Sequence, residues 1–233
     1  IERLITFKSH LVETRKIDAF SPSDLALGNA FIAGAFIEHS DFQSAIDATL
    51  SLIGLGDSVS IQNVTQGEDL WLAAISESGL VCVEEGHIVT VAPPDPITEM
   101  KLISREAYLS TRRELGIWSR PNPDQLNLLK GESYIPACNK EVIRAIGGAD
   151  LIIYGTGTLH SSLLPSYMTG GLTEAIASNK SAHKVLMVNG VRDTDIHKSL
   201  EREIAINSTL RYLNPSATYD AVSYTHLRAH ETE

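Results

Sequence analysis

Residues 155–162, Gly-Thr-Gly-Thr-Leu-His-Ser-Ser, crowd two glycines, four hydroxyls and an imidazole into eight positions, directly after the apolar run Leu151–Tyr154. Rotatable hydroxyls are neutral donors that adjust to phosphate oxygens. Glycine lets a main chain approach an anion closely and supplies positive φ where a turn needs it. A helix starting here would add unpaired N–H groups and a partial positive charge. Two readings follow. One is a phosphate cradle built from Gly155, Thr156, Gly157, Thr158, His160, Ser161 and Ser162. The other is a plain tight turn between strand and helix. The residue types alone leave the two evenly balanced.

More specific chemistries are not spelled out. His160 stands where a dinucleotide fingerprint has its third glycine, no Gly-Lys-Ser/Thr completes a P-loop, and no G-x-S-x-G elbow surrounds Ser161 or Ser162. No catalytic residue is assigned. Asn189 ends the run KVLMVN, and Asp193 and Asp195 follow in the next loop. In an open α/β sheet these positions reach the same edge as the glycine turn. They could read a ribose or base, or bind Mg²⁺ through carboxylates; solvated loop acids are the plainer reading of the two aspartates.

The elements that must position these residues are legible around them. KEVIRAIGGAD reads as a helix ending at Gly147-Gly148, LIIY as a buried strand, and SSLLPSYMTGGLTEAIASNK as a helix interrupted near Pro165 or Gly170-Gly171. KVLMVN is a second buried strand. Strand, helix and strand of these lengths make a βαβ unit, hence a parallel sheet covered on both faces. Upstream, LALGNAFIAGAFIEHS is a buried helix with Asp24 as cap or first-turn acid, its small residues implying close packing on a neighbour. Ser40-Asp41 opens an amphipathic helix with Phe42, Ile46, Leu50 and Ile53 at helical spacing. SVSIQNV alternates like a strand, LWLAAI and LVCVEE form a hairpin around Ser78-Gly79, and HIVTVAPP is a strand closed by prolines. Residues 101–135 are mixed, with RPNPDQ as a turn or loop. Residues 199–213 make a further amphipathic helix. The class is α/β with a β-hairpin excursion.

Composition sets the outer limits. The chain has 233 residues, 43% hydrophobic and 21% charged, ordinary for a globular protein. A net charge of −10 argues against a nucleic-acid partner, which needs clustered Lys and Arg. Anionic ligands stay open, because main-chain N–H groups bind phosphate without side-chain charge. Cys82 and Cys138 match no metal spacing, so no metal ligands are assigned and a reduced cytoplasmic compartment is expected. No apolar run approaches the ~20 residues of a membrane helix, so no membrane partner is expected. The chain begins at Ile1, which suggests that the start of the gene product is missing. The tail VSYTHLRAHETE carries His226 and His230 at zinc-pair spacing, but it reads as a translated transposase-type sequencing adapter. We therefore expect one α/β domain over 1–221, truncated at its N-terminus, with 222–233 an artefact.

The order of these segments resembles the 2-phospho-L-lactate transferase and gluconeogenesis factor superfamily. ADLIIYGTGTLHSSLLPSYMTGGLTEAI is similar to its signature, A-D-x-I-x-x-G-P-G-S-L-Y-T-S-I-L-P-N and a helix ending E-A-I. KVLMVN resembles the strand that follows, LALGNAFIAGAF the L-G-N helix, and GLVCVEEGHIV the segment d-G-x-x-V-x-G-E-x-x-I. The resemblance runs over about residues 20 to 195. It implies a Rossmann-like fold, with helices on both faces of a parallel sheet, that binds a nucleotide diphosphate ester. One branch transfers a phospholactyl group from a guanylylated donor to a deazaflavin alcohol with Mg²⁺. The other is a cytosolic regulator of carbon metabolism and cell-wall supply that binds UDP-sugars.

Carried over residue by residue, Gly155 to Ser162 match the phosphate-binding turn, Asn189 the strand-end asparagine, and Gly28 and Asn29 the L-G-N helix. Thr156 replaces the family's proline, Thr158 and His160 its Ser and Tyr, and GVRDTDIH its Q-P-G-E-T loop. The initial G-G-G-T-G turn and the Asp-Asp pair are not in this sequence. The spacing L-H-S-S-L-L-P sits nearer the regulator branch. The expected ligand is a nucleotide or nucleotide sugar, the transferase is the alternative, and whether the chain is an enzyme stays open. Mg²⁺ is the cofactor the transferase branch implies. The oligomeric state is left open and is compatible with a homodimer.

Overall fold

Two sheets of opposite character organise the described residues, and the connection between the parallel strands packs against both. The computed structural model describes residues 1–14, 25–55, 59–113, 115–187, 194 and 196–198. Three helices come first: α1 (Glu2–Glu13), α2 (Leu27–His39) and α3 (Phe42–Leu52). The small residues of α2 do what their spacing predicts. Ala30, Gly34 and Ala35 are buried, and a Cβ on Gly34 would stand 1.9 Å from the Arg3 carbonyl oxygen of α1. Ala26, not Asp24, is the N-cap of α2; Asp24 lies outside the described residues. Asp41 caps α3, its carboxylate accepting from Ser44 N at 2.7 Å.

The antiparallel sheet follows, with strand order β2-β1-β3-β4. It is built from β1 (Leu70–Ser76), β2 (Val81–Cys82), β3 (Ile97–Ser104) and β4 (Ser133–Tyr134). The hairpin turns at Gly79, whose φ of +80° is the conformation glycine adopts without strain. Asp95 ties the turn, accepting from Ser78 N at 2.8 Å and Ser78 Oγ at 2.7 Å. The Ser78 bonds hold the Asp95 carboxyl below its ordinary range. Both faces of β1 are buried. Leu72 and Ala74 join one core with Met100, Leu102 and Trp118, while Ala73 and Ile75 join a second with Ile103, Tyr108 and Leu129. Helices α5 (Arg105–Arg112) and α6 (Pro123–Gly131) supply the second core.

Two strand expectations are overturned. The described part of SVSIQNV, residues 59–64, forms no strand. Its polar groups are met by side chains and a helix cap instead: Asn63 N donates to Gln43 Oε1, Gln43 Nε2 to Ile61 O, and Asn139 to Asn63 O and Val64 O. HIVTVAPP is not a strand either, because Glu85–Thr90 is helix α4. β1 is already flanked by β2 and β3, so the run contributes to the core from a helix, through Ile88. RPNPDQ is only partly loop: Asn122 and Gln125 form a capping box with Pro123 inside the first turn of α6.

The last third forms the expected βαβ unit. Helix α7 (Lys140–Gly147) leads to β5 (Leu151–Tyr154), which pairs in parallel with β6 (His183–Leu186). The connection runs through a π-helical turn (Leu159–Leu163), then α8 (Leu164–Tyr167) and α9 (Leu172–Ser178). The break before α9 falls at Gly170-Gly171, with Gly171 at φ +93°. Cys138, Tyr154, Leu172 and Ile176 form the core on one side of this pair, but LIIY and KVLMVN are not the fully buried strands expected: among the described residues no element covers the other face, where Leu151, Ile153 and Val185 are about half exposed. The 199–213 helix and the tail lie outside the described residues.

Asn179 fixes this unit. Its Nδ2 donates to Ile146 O at 2.7 Å and Ala149 O at 2.8 Å, and its Oδ1 accepts from Ala182 N at 3.1 Å. One buried amide thus joins the ends of α7 and α9 to the start of β6. Replacing it removes two donors from part-buried carbonyls and an acceptor from Ala182 N, so Asn179→Ala is expected to cost about 1–3 kcal/mol in urea unfolding. A second expectation concerns acid. Asp95 has a lowered folded pKa, so its contribution is present at neutral pH and fades as pH falls through that value. Asp95→Asn should therefore lower the melting temperature at pH 7 more than at pH 3.

Candidate functional site

The glycine turn is exposed where it leaves β5 and buried where it enters the π-turn. Gly155, Thr156 and Ser162 are exposed, Gly157 and Thr158 half-buried, and His160 and Ser161 each only 6% exposed. Leu159 and Leu164 anchor the segment in the core of the antiparallel sheet, beside Leu72, Met100 and Leu102. Tyr167 touches both cores and meets Tyr154 edge-on, with ring centres 6.3 Å apart. Burial pushes the Tyr167 hydroxyl pKa up.

The π geometry has a local cause. The Thr158 carbonyl accepts from both Ser162 N (3.0 Å) and Leu163 N (3.2 Å). Pro165 has no N–H to offer Ser161 O, and its ring crowds that carbonyl in an α-helix. Widening the turn relieves the clash; single π-turns recur at functional sites. The turn gathers three hydroxyls, because Thr158 Oγ1 bonds to Ser161 Oγ and, at 2.7 Å, to Ser162 Oγ. Such a cluster presents hydrogens and lone pairs that reorient together, which suits an oxyanion more than a cation.

The two glycines turn out to serve different ends. Neither has a left-handed φ, so the turn does not need them for backbone conformation. At Gly157 a Cβ would lie 3.1 Å from Leu163 Cδ2 and 3.4 Å from Ser162 Cβ, tight enough that the Leu163 side chain would have to give by a few tenths of an ångström. At Gly155 a Cβ would meet nothing within 4 Å among the described residues. No contact among them calls for a bare main chain at 155, three residues before the hydroxyl cluster begins at Thr158.

Of the other sequence candidates, Gly28 and Asn29 are exposed in the first turn of α2, a helix packed on α1 and α3. Among the described residues no hydrogen bond joins either to the turn. Asn189, Asp193 and Asp195 lie outside the described residues. The described residues also form no group of three His, Cys, Asp or Glu able to hold a metal ion. The hydroxyl cluster is a poor donor set for Mg²⁺, which favours carboxylates and phosphate oxygens. Cys82 and Cys138 are free thiols, both buried. Among the described residues no helix is long and apolar enough to cross a membrane.

Sequence reasoning missed a wall of residues facing the turn. Trp71 and Tyr108 stack with ring centres 3.9 Å apart, and Arg112 lies over Tyr108 while its Nε pairs with Glu84 Oε2 at 3.2 Å. Together with Glu85 and Ser161, three of these (Trp71, Tyr108 and Glu84) line one cleft. The adjacent acids Glu84-Glu85, one residue beyond the end of β2, were the visible signal.

A parallel strand pair joined through a helical connection defines an α/β protein of the Rossmann-like kind. The chain matches the family described as 2-phospho-L-lactate transferase CofD over residues 7–223, and it belongs to that family. It is 26% identical over 195 residues to the gluconeogenesis factor of Listeria innocua, across 75% of this chain and 53% of that protein. It is 35% identical over 66 residues to the uncharacterized protein YNL011C of Saccharomyces cerevisiae, across 28% of this chain and 15% of that one. Two crystal structures of protein BH3568 from Bacillus halodurans, one described as a member of the UPF0052 family, are similar in fold. Each has a TM-score of 0.60 at 19% identity and covers 82% of this chain and 50% of its own. The chain thus spans about half the length of the Listeria and Bacillus proteins.

The glycines separate in a stability experiment. Gly155→Ala should leave the unfolding free energy within about 0.5 kcal/mol. Gly157→Ala should lower it by about 1 kcal/mol or more, because Leu163 must move. Equal effects of the two changes in urea titrations would contradict the packing described.

Proposed function

We propose that this chain binds a nucleotide diphosphate ester, a UDP-sugar or close relative, with its phosphates against the 155–162 turn. In this reading it serves as a regulator of carbon metabolism or cell-wall supply. The observation that carries the proposal is Gly155: exposed, required by neither backbone geometry nor packing among the described residues, and close in sequence to Thr158, whose hydroxyl bonds those of Ser161 and Ser162. A phosphate placed there receives neutral donors from Thr156 and Ser162 and from the main chain. Such binding tolerates the chain's net negative charge, because fixed dipoles supply the attraction. The match to the Listeria gluconeogenesis factor over 195 residues supports the regulatory assignment.

The second reading is a 2-phospho-L-lactate transferase-like enzyme using a nucleotide-activated phosphoester donor, favoured by the family description itself. Both readings use the turn to hold phosphates. In the second, Mg²⁺ would supply charge neutralisation on the phosphate oxygens. The described residues form no site for it, so the turn's part in that chemistry is binding and orientation.

Gly155→Asp tests the shared core of both readings. It adds a carboxylate into open space without touching the fold, so the melting temperature should hold. Calorimetry with UDP-N-acetylglucosamine should show binding weakened by roughly tenfold or more, from like-charge repulsion. Unchanged affinity in the variant would remove the turn as the phosphate site.

A further inference from the structure

A cleft of about 320 Å³ opens between the π-turn and the antiparallel sheet, at the lower end of the range for small-ligand sites. Its floor is apolar, from Leu72 and Leu102, and its wall is the stacked pair Trp71 and Tyr108. That wall is braced: Arg112 sits 5.6 Å from the Tyr108 ring centre and holds Glu84, which His87 Nδ1 also approaches at 3.6 Å. Glu85, beside it, is exposed and makes no ion pair among the described residues. The Trp71 indole N–H is buried and has no hydrogen-bond partner among the described residues. Ser161 belongs to the cleft and to the hydroxyl cluster at once.

We infer that this cleft receives the uncharged, hydroxyl-bearing ring of the ester whose phosphates occupy the turn, and that Glu85 selects against acidic rings. The inference rests on the reading of the turn given above. An indole and leucine side chains present apolar surface to the C–H face of a sugar. Carboxylates accept hydrogen bonds from hydroxyls and offer none. Glu84 is already paired with Arg112, which leaves Glu85, without an ion pair among the described residues, as the unshared carboxylate of the cleft. A ring carrying its own carboxylate would meet that charge.

The test is calorimetry on the 233-residue chain and on Glu85→Gln with three probes: UDP, UDP-glucose and UDP-glucuronate. For the unsubstituted chain, UDP-glucose should bind more tightly than UDP. UDP-glucuronate should bind roughly tenfold or more weakly than UDP-glucose, the scale of a like-charge mismatch. Glu85→Gln should narrow that gap while leaving UDP affinity unchanged. If UDP binds and the two sugars add no discrimination, or if Glu85→Gln leaves the gap as it was, the cleft assignment is overturned and the turn stands. If none of the three binds, the turn itself fails as a phosphate site, and the cleft assignment falls with it.

Discussion

Two leucines five residues apart, Leu159 and Leu164, are buried in the core of the antiparallel sheet while the strand that leads to them belongs to the parallel pair. Everything at the candidate site depends on that burial. It fixes the π-turn against β1 and β3, and so sets where Thr158, Ser161 and Ser162 meet. A buried leucine contributes on the order of 2 kcal/mol, enough for two to hold a connection that would otherwise be a surface loop. The turn is therefore part of a core at one end and open to solvent at the other, an arrangement that gives a binding loop a rigid footing.

The same burial explains why the antiparallel excursion belongs to the site. With both faces of β1 covered, the excursion has a core of its own and could have been a mere decoration of the parallel pair. Instead, the π-turn and α8 cover one face of it, while the stack of Trp71 and Tyr108 packs with the core on the other face and lines the same cleft as Ser161. Two sheets that share a covering element also share the crevice beside it.

The sequence was most legible where periodicity and length agreed. LIIY and KVLMVN read as strands because each is a short apolar run bounded by glycine or polar residues, and the parallel pairing followed from the helix between them. The hairpin followed from Gly79. The small residues of α2 announced a close neighbour, which proved to be the backbone of α1 at Arg3. Illegible were segments whose polar groups are answered by distant side chains. Residues 59–64 alternate like a strand, yet Gln43 and Asn139 take their hydrogen bonds. Helices α5 and α6 are largely polar, so little apolar rhythm marked them. The turn was recognisable from residue type, but the reason for its glycines was not: φ is ordinary at both, and only the neighbours of a hypothetical Cβ tell them apart. The cleft was hidden because its residues, from Trp71 to Pro165, come from separated parts of the chain.

The π-turn also makes the segment sensitive to counting. In an α-helix, residues five apart point about 140° away from each other; the wider i→i+5 turn brings them to within about 50° of each other, on one face. That is how Leu159 and Leu164 enter the same core. Removing any one residue between them would leave the composition almost untouched and the reading frame of the side chains rotated. One leucine would swing toward water, or the hydroxyls would swing off the crevice. Across relatives of this chain, length in this short span therefore carries more structural information than identity, and an alignment gap inside it marks a different site rather than a shorter loop.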